Sequence, residues 1–141
     1  MTAWQLRHIL LEAESRVFAS AVLLPSSRAL LLQKVPPVHA RVIAHHMTIA
    51  FNPDTEQLVH FPLRKGQRVR LRVVGVAVDR KAQAVAVQGY SLNAHPHITI
   101  SCADGVPAKY SNELLAKRRM TRVQPFTLTA VVRFEALAAP V

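Results

Sequence analysis

Two histidine–threonine pairs with the same spacing are the residues of this sequence that could do chemistry together: His46 with Thr48, and His97 with Thr99. A neutral imidazole can take a proton from a hydroxyl or a water, and an imidazolium can give one to a departing oxygen, because histidine titrates near neutrality. Threonine hydroxyls can donate hydrogen bonds to phosphate oxygens, where negative charge builds up during cleavage. Two such pairs facing one groove would therefore serve phosphodiester cleavage without a metal.

Each pair lies in a segment that the sequence predicts to be a β-strand. Side chains alternate between the two faces of a strand, so the histidine and the threonine share one face and the aliphatic residues beside them share the other. Both pairs are followed by isoleucine, at Ile49 and Ile100, which favours burial of that second face. The spacing alone also arises by chance in a chain with seven histidines, so ordinary polar residues on solvent-facing strands remain the alternative.

The other elements follow from hydrophobic periodicity and turn-forming residues. The first half is predicted to hold an amphipathic helix to about Glu14 with a Thr2–Gln5 capping box, a strand over Val17–Leu24, a helix capped by Ser26 or Ser27 and ended by Pro36 and Pro37, and a strand over Val42–Phe51. The second half is predicted to hold a hairpin of 67–78 with 82–88, a strand over 97–101, a short helix from Ser111 to Lys117-Arg118-Arg119, and a strand over Phe126–Phe134. Six strands and two or three helices, paired through local turns, predict a single α+β domain of residues 1–141 built on antiparallel sheet.

Composition limits the partners. The 141 residues are 50% hydrophobic and carry a formal charge of +10, from 18 Lys and Arg against 8 Asp and Glu. An ordered domain with this charge predicts an anionic partner, with RNA, DNA or a nucleotide ahead of a membrane or an acidic protein. The alternating strand Arg68-Val69-Arg70-Leu71-Arg72 has one basic face, although such faces are more often solvated than ligand-binding. Aromatic residues make up only 6%, which disfavours a single-strand binder that stacks many bases.

The cysteine and histidine residues bear on the cellular location of the protein and on whether it binds a metal. A single cysteine, Cys102, cannot form an internal disulfide or a cysteine-based zinc cluster, so a cytoplasmic location is expected. The most apolar early stretch, 17–24, is far shorter than the roughly 18 apolar residues of a membrane span. The clusters His45-His46 and His95-Pro96-His97 could in principle hold zinc. The nearest acids lie in predicted turns, so we expect no metal and no membrane partner.

Beyond their spacing, the two segments resemble a known family. His46-Met47-Thr48-Ile49 and Pro96-His97-Ile98-Thr99-Ile100 are similar to the paired signatures of the two-histidine phosphoesterase superfamily. The stretch 93–100, followed by Tyr110-Ser111-Asn112-Glu113-Leu114-Leu115, resembles the end of the cyclic phosphodiesterase domain of fungal-type tRNA ligases. The resemblance implies a bilobal fold of two antiparallel sheets flanked by a few helices, with one signature from each lobe. The two signatures lie closer in sequence than in most members, so part of the groove is expected to be altered.

The resemblance also implies an activity and a set of site residues. It implies metal-independent, cofactor-free hydrolysis of 2′,3′-cyclic phosphates on RNA ends or nucleotides, by a monomer acting in RNA repair or processing. His97 would be the base for water and His46 the acid, while Thr48 and Thr99 would hold the phosphate. Four further residues near the signatures are expected to bind substrate: Tyr90, Ser101, Lys109 and Tyr110. The alternatives are the same site acting on cyclic dinucleotides or linear oligonucleotides, and a basic module that binds RNA or a nucleotide without turnover.

Overall fold

The computed structural model of the chain describes residues 17–117 and 120–136. In chain order its elements are β1 Val17–Leu23, α1 Pro25–Lys34, β2 Arg41–Val42, β3 His46–Phe51, α2 Thr55–Val59, β4 Arg68–Val78, β5 Ala82–Gln88, β6 His97–Cys102, α3 Tyr110–Lys117 and β7 Thr121–Ala136. The predicted N-terminal helix and the pair Arg118-Arg119 lie outside the described residues.

The strands form one antiparallel sheet that closes on itself. The order is β2-β6-β3-β1-β7-β4-β5, and β5 pairs back onto β6. Six strands therefore make a closed barrel, to which β2 adds a two-residue extension on β6. Closure pairs the strand edges that an open sheet would leave exposed. The predicted α+β class built on antiparallel sheet is confirmed.

Apolar residues that alternate along each strand fill the inside of the barrel. On β1 the fully buried apolar residues are Val17, Ala19 and Ala21. On β3 and β6 they are the aliphatic neighbours of the two histidine–threonine pairs, namely Met47, Ile49, Ile98 and Ile100. These residues belong to one core with Leu31 of α1 and Leu128 of β7. Burial of the inner face fixes which side chains must point outward, because a one-residue slip would reverse every position.

Helix α1 begins differently from the prediction. Pro25 occupies the first turn and Leu24 is the N-terminal cap, with no side-chain capping hydrogen bond, so the predicted serine cap is wrong. Proline suits this position because its fixed φ matches the helix and it has no N–H to leave unpaired. Ser27 instead accepts a hydrogen bond at Oγ from the Thr129 amide, at 2.8 Å. The serine thus ties the helix to β7.

The predicted strand over Val42–Phe51 is interrupted in the structure. Ala44 adopts a left-handed conformation, with φ of 45°, which separates β2 from β3. The Arg28 guanidinium donates from Nε to the Ala44 carbonyl at 3.1 Å and from Nη2 to the Ile43 carbonyl at 3.3 Å. The break is therefore stabilised by a side chain distant in sequence, which local periodicity does not register.

Helix α3 packs on the outer side of the barrel. Leu114 of α3 is fully buried with Cys102 of β6 and three small residues of the β4–β5 hairpin, Ala77, Ala82 and Ala84. Small residues on the outer face of β5 allow the helix to approach the sheet closely. The start of α3 is thereby held beside β6, next to Thr99.

Candidate active site

One cavity of about 440 Å³ lies over β3 and β6 on the outside of the barrel. All four residues of the two histidine–threonine pairs line it. The complete lining consists of Phe18, Ile43, His46, Thr48, Phe51, Asn93, His97, Thr99, Ala108, Lys109 and Asn112. Two segments about fifty residues apart in sequence are thus brought to one concave surface.

Strand register explains how the two pairs meet. Strands β3 and β6 are antiparallel, with Met47 opposite Ile98. The two pairs flank this contact, since His46 and Thr48 lie on either side of Met47 in the chain and His97 and Thr99 lie on either side of Ile98. The two imidazoles and the two hydroxyls are therefore gathered around one point of the sheet. The apolar side chains between them are at most 1% exposed, so the core holds the polar side chains outward.

His97 is the more firmly held of the two histidines. It is 8% exposed, and its Nδ1 lies 2.7 Å from the carbonyl oxygen of His95. A carbonyl only accepts, so Nδ1 carries the hydrogen and Nε2 has the lone pair in the neutral ring. Burial lowers the pKa of His97 below 6.5; the hydrogen bond to the His95 carbonyl opposes the shift, and the His95 ring adds to it. At neutral pH the residue is a neutral imidazole with an available basic nitrogen.

His46 is half-buried and contacts a second imidazole. Its Nδ1 lies 3.0 Å from Nδ1 of the exposed His45, so one of the two rings must donate. The ring also packs edge-on against Phe18, with centroids 5.6 Å apart. Burial, then the charge on His45, lower the pKa of His46 from 6.5 to about 4; His97 lowers it further and Glu135 opposes the shift. In the free protein at neutral pH, His46 is therefore neutral.

The two threonines differ in their hydrogen bonds. Thr99 Oγ1 lies 2.7 Å from Ser111 Oγ, at the start of α3, and 3.3 Å from the carbonyl oxygen of Ala108. Among the residues that the structure describes, Thr48 Oγ1 has no hydrogen-bond partner; the Ser91 hydroxyl donates to the Thr48 main-chain carbonyl, at 2.8 Å. The Thr48 hydroxyl can therefore donate a hydrogen bond directly to a ligand, whereas the Thr99 hydroxyl must first give up its hydrogen bond to a protein group.

Lys109 provides the positive charge of the cavity. It lies at the start of α3 together with Asn112, whose amide nitrogen donates to the Lys109 carbonyl at 3.2 Å. The main-chain amides of Tyr110, Ser111 and Asn112 donate to carbonyls three residues earlier, at 3.0 to 3.1 Å. Because those amides are occupied, an anion in the cavity would be bound by side chains rather than by the helix N-terminus.

Three of the residues predicted to bind substrate are not at the cavity. Tyr90 packs edge-on against Phe61, with ring centroids 5.7 Å apart. Ser101 donates from Oγ to Gln83 Oε1 at 2.7 Å. It is fully buried, because the main chain at His39 covers that end of β6 and its amide donates to the same Oγ. The Tyr110 hydroxyl donates to the carboxylate of Asp79 at 2.6 Å. Of the four predicted residues, Lys109 is the one that lines the cavity.

Six lining residues outside the predicted site complete the walls: Phe18, Ile43, Phe51, Asn93, Ala108 and Asn112. Phe51 is 67% exposed at the cavity and lies edge-on to Phe18, with ring centroids 6.2 Å apart. Asn93 and Asn112 lie within the segments that carry the family resemblance, so a residue-by-residue comparison there could have found them. Phe18 depends on the pairing of β1 with β3, which local sequence does not specify.

No group of three histidine, cysteine or acidic residues that could hold a metal ion occurs within 17–117 and 120–136. His45 and His95 are exposed and precede strands β3 and β6. None of the described helices is long and apolar enough to cross a membrane. The chain matches no protein-family model and no curated protein sequence.

Proposed function

We propose that this chain is a metal-independent phosphodiesterase of the two-histidine type that opens 2′,3′-cyclic phosphates on RNA ends or nucleotides. The observation that carries the proposal is the convergence of His46, Thr48, His97 and Thr99 on one cavity that also holds Lys109. Two imidazoles, two hydroxyls and one ammonium group match the needs of phosphodiester cleavage, which are proton transfer at two oxygens and neutralisation of charge on the others.

The strand order supports a two-lobed interpretation of the barrel. On one side of the Met47–Ile98 contact the strands run β3-β1-β7, and on the other side they run β6-β5-β4. Each set is antiparallel, is three strands wide, and contributes one histidine–threonine pair from its innermost strand. This strand order supports the proposal, because a two-histidine phosphoesterase fold implies two antiparallel sets of strands with one signature in each.

In the proposed reaction His97 acts as the base. Nε2 of the neutral ring takes a proton from a water, whose oxygen attacks phosphorus as the bond between phosphorus and one ribose oxygen breaks. The hydrogen bond from Nδ1 to the His95 carbonyl orients the ring and stabilises the imidazolium that forms. His46 gives its proton to the departing ribose oxygen, so one P–O bond is formed and one is broken.

His46 must acquire a proton before it can act as the acid. Its pKa of about 4 in the free protein leaves the imidazolium scarce at neutral pH. A phosphate anion in the cavity favours the charged ring, because an opposite charge within a few ångströms raises a histidine pKa. Substrate binding and protonation of His46 are therefore linked, and each favours the other.

The remaining lining residues suit the rest of a nucleotide. The Thr48 hydroxyl and the Lys109 ammonium group would bind the non-bridging oxygens. Phe51 offers an exposed ring face on which a base could stack, a contact usually worth about 1 to 3 kcal/mol. The side-chain amides of Asn93 and Asn112 would hydrogen-bond to the ribose or the base.

Specific observations favour each of the two alternative functions. A second cavity of about 250 Å³ shares Thr48, Phe51 and Asn93 with the first, which gives room for a nucleoside on both sides of the phosphate, as in a cyclic dinucleotide or a linear oligonucleotide. The low pKa of His46 favours a module that binds without turnover, since a neutral ring has no proton to give.

Incubation of the purified protein with 2′,3′-cyclic mononucleotides, a cyclic dinucleotide and a linear oligonucleotide, each with and without EDTA, tests these functions. We expect the cyclic mononucleotide to be opened at a rate that EDTA does not change. Turnover of the dinucleotide or the oligonucleotide alone would move the assignment to those substrates. Loss of activity in EDTA, or binding without product, would contradict the proposal.

A further inference from the structure

Strand β4 carries three arginines on its outer face, away from the cavity. Arg68, Arg70 and Arg72, here called the arginine ladder, are all exposed, whereas Leu71 and Val73 between and after them are at most 1% exposed. Because alternate residues of a strand share a face, the three guanidinium groups form a row with a spacing of about 6.6 Å.

The ladder and the cavity occupy different sides of the barrel. Around the closed sheet, β4 is two strands away from β6 and three strands away from β3, which carry the two histidine–threonine pairs. No ladder residue lines the cavity at those pairs. A ligand on the ladder would therefore leave the proposed active site open.

The neighbours of the ladder are hydrogen-bond donors and a further cation. On β7, Thr129 is opposite Arg70 and Thr127 is opposite Arg72. Arg72 and Arg122 line a separate cavity of about 450 Å³ together with Gln88 of β5 and four apolar residues, Val74, Met120, Val123 and Pro125. Guanidinium, hydroxyl and amide groups on one surface make a good receptor for phosphate oxygens.

No carboxylate balances these charges in the described part of the chain. Strands β4 and β5 contain no acidic residue, and the acid of β7, Glu135, is paired with Phe18 of β1 beyond the end of the β4 pairing. Within residues 17–117 and 120–136, none of the three ladder guanidinium groups has a hydrogen bond or an ion pair. The three guanidinium groups are therefore exposed and available to an anionic ligand.

We propose that the arginine ladder, with Arg122, binds the phosphodiester backbone of single-stranded nucleic acid. A straight row of equally spaced cations fits a polymer whose charges repeat along its length. Thirteen of the 18 basic residues of the chain are arginine, the side chain whose planar fork binds phosphate through two hydrogen bonds. None of the large exposed hydrophobic residues of the described chain lies in the cavity at Arg72 and Arg122, which favours a hydrated phosphate backbone over a membrane surface, where exposed apolar side chains would add binding. This surface does not depend on the proposed cavity chemistry.

Salt-dependent binding of a fluorescently labelled single-stranded RNA of about 20 nucleotides provides the test. The ladder variant is Arg68→Gln with Arg70→Gln and Arg72→Gln. A matched control removes three charges from exposed residues away from the ladder, at the end of α1 and in the β4–β5 turn: Lys34→Gln, Arg80→Gln and Lys81→Gln. At about 0.1 M salt we expect the ladder variant to bind at least about tenfold more weakly, and the slope of log K against log salt to fall by about 2, while the control changes binding less than about threefold.

Three further measurements make the outcome decisive. Thermal unfolding establishes that both variants are folded, and turnover of a cyclic mononucleotide should be the same in both, since neither touches the cavity. Equal weakening by the ladder variant and the control would overturn the proposal in favour of net charge alone. Unchanged RNA binding by the ladder variant would also overturn it, as would a loss of binding to anionic phospholipid vesicles without a loss of RNA binding.

Discussion

The two histidine–threonine pairs share a sequence pattern but are supported differently. On β6, His97 and Thr99 are each 8% exposed and each has a fixed protein partner, a carbonyl for the ring and the Ser111 hydroxyl for the threonine. On β3, the Thr48 hydroxyl has no partner in the described structure, and His46 is bonded to an exposed imidazole. The β6 pair is therefore held in position by protein hydrogen bonds before a ligand binds, whereas the Thr48 hydroxyl of the β3 pair would gain its hydrogen bond only from the ligand. This difference agrees with a base at His97 and an acid at His46.

Removal of either imidazole gives the largest expected effect. His97→Ala and His46→Ala should each lower kcat/KM for a 2′,3′-cyclic mononucleotide by about 10²–10⁴, because each ring transfers a proton in the proposed reaction. Steady-state kinetics measures the loss, and His60→Gln, an exposed histidine outside both cavities, should leave the rate unchanged. Full activity in both alanine variants would end the phosphodiesterase proposal. If only His97→Ala lowers kcat/KM, the assignment of His97 as base and His46 as acid is wrong, because His46 would then have no catalytic role.

Acidic pH should destabilise the fold through the same two rings. Both pKa values are lower in the folded protein than the 6.5 of a free histidine, so the unfolded chain binds more protons below that pH. The contribution is fully present above pH 6.5 and is lost as pH falls toward the folded values. With a pKa of about 4, His46 alone should remove roughly 2 to 3 kcal/mol from the free energy of unfolding by about pH 4.5.

Urea unfolding at neutral pH and at about pH 4.5 measures this loss. His46→Gln should remove most of it, since glutamine does not titrate, and His60→Gln should keep it. If His46→Gln is as sensitive to acid as the unmodified chain, the burial of His46 is not the cause.

Substitution of the two threonines should affect activity and stability differently. Thr48→Val removes a hydroxyl without a protein partner, so we expect kcat/KM to fall about 10- to 100-fold with little change in the free energy of unfolding. Thr99→Val leaves the buried Ser111 hydroxyl without its partner, which should cost about 1 to 3 kcal/mol of stability. Enzyme kinetics and urea unfolding of both variants check the contrast. Equal stability losses would show that the two pairs are supported alike.

Local sequence patterns were sufficient for β6, but they missed the break that precedes β3 and most of the walls of the site. The alternation around His97 fixes which side chains share a face, and the structure has that strand at His97–Cys102. The break at Ala44 depends on Arg28, and the wall at Phe18 depends on strand pairing, so both required long-range contacts. The prediction that Ser101 binds substrate was wrong for the same reason. Its position on the outer face was predictable from the sequence, but the segment at His39 that covers it was not. Hydrophobic periodicity also does not predict that β5 pairs with β6 and closes the barrel, because it describes single strands and not which strands pair.

The smallest expected effect concerns the histidine that precedes each pair. The charge of His45 lowers the pKa of His46, and the charge of His95 lowers the pKa of His97. His45→Gln should therefore raise the pKa of His46 and leave His97 unchanged, and His95→Gln should do the reverse. Both shifts should be smaller than the effect of burial, which is the largest cause at each site.

Titration of the imidazole Cε1–H resonances by NMR measures all four pKa values. The main-chain carbonyl of His95 is retained in His95→Gln, so the hydrogen bond that orients His97 survives that substitution. The Nδ1 contact of His46 with His45 is instead lost with the side chain. His45→Gln should consequently change the ring orientation of His46 as well as its pKa, and the catalytic rate should respond more strongly to this variant than to His95→Gln. Equal responses would mean that the two rings are held with equal firmness.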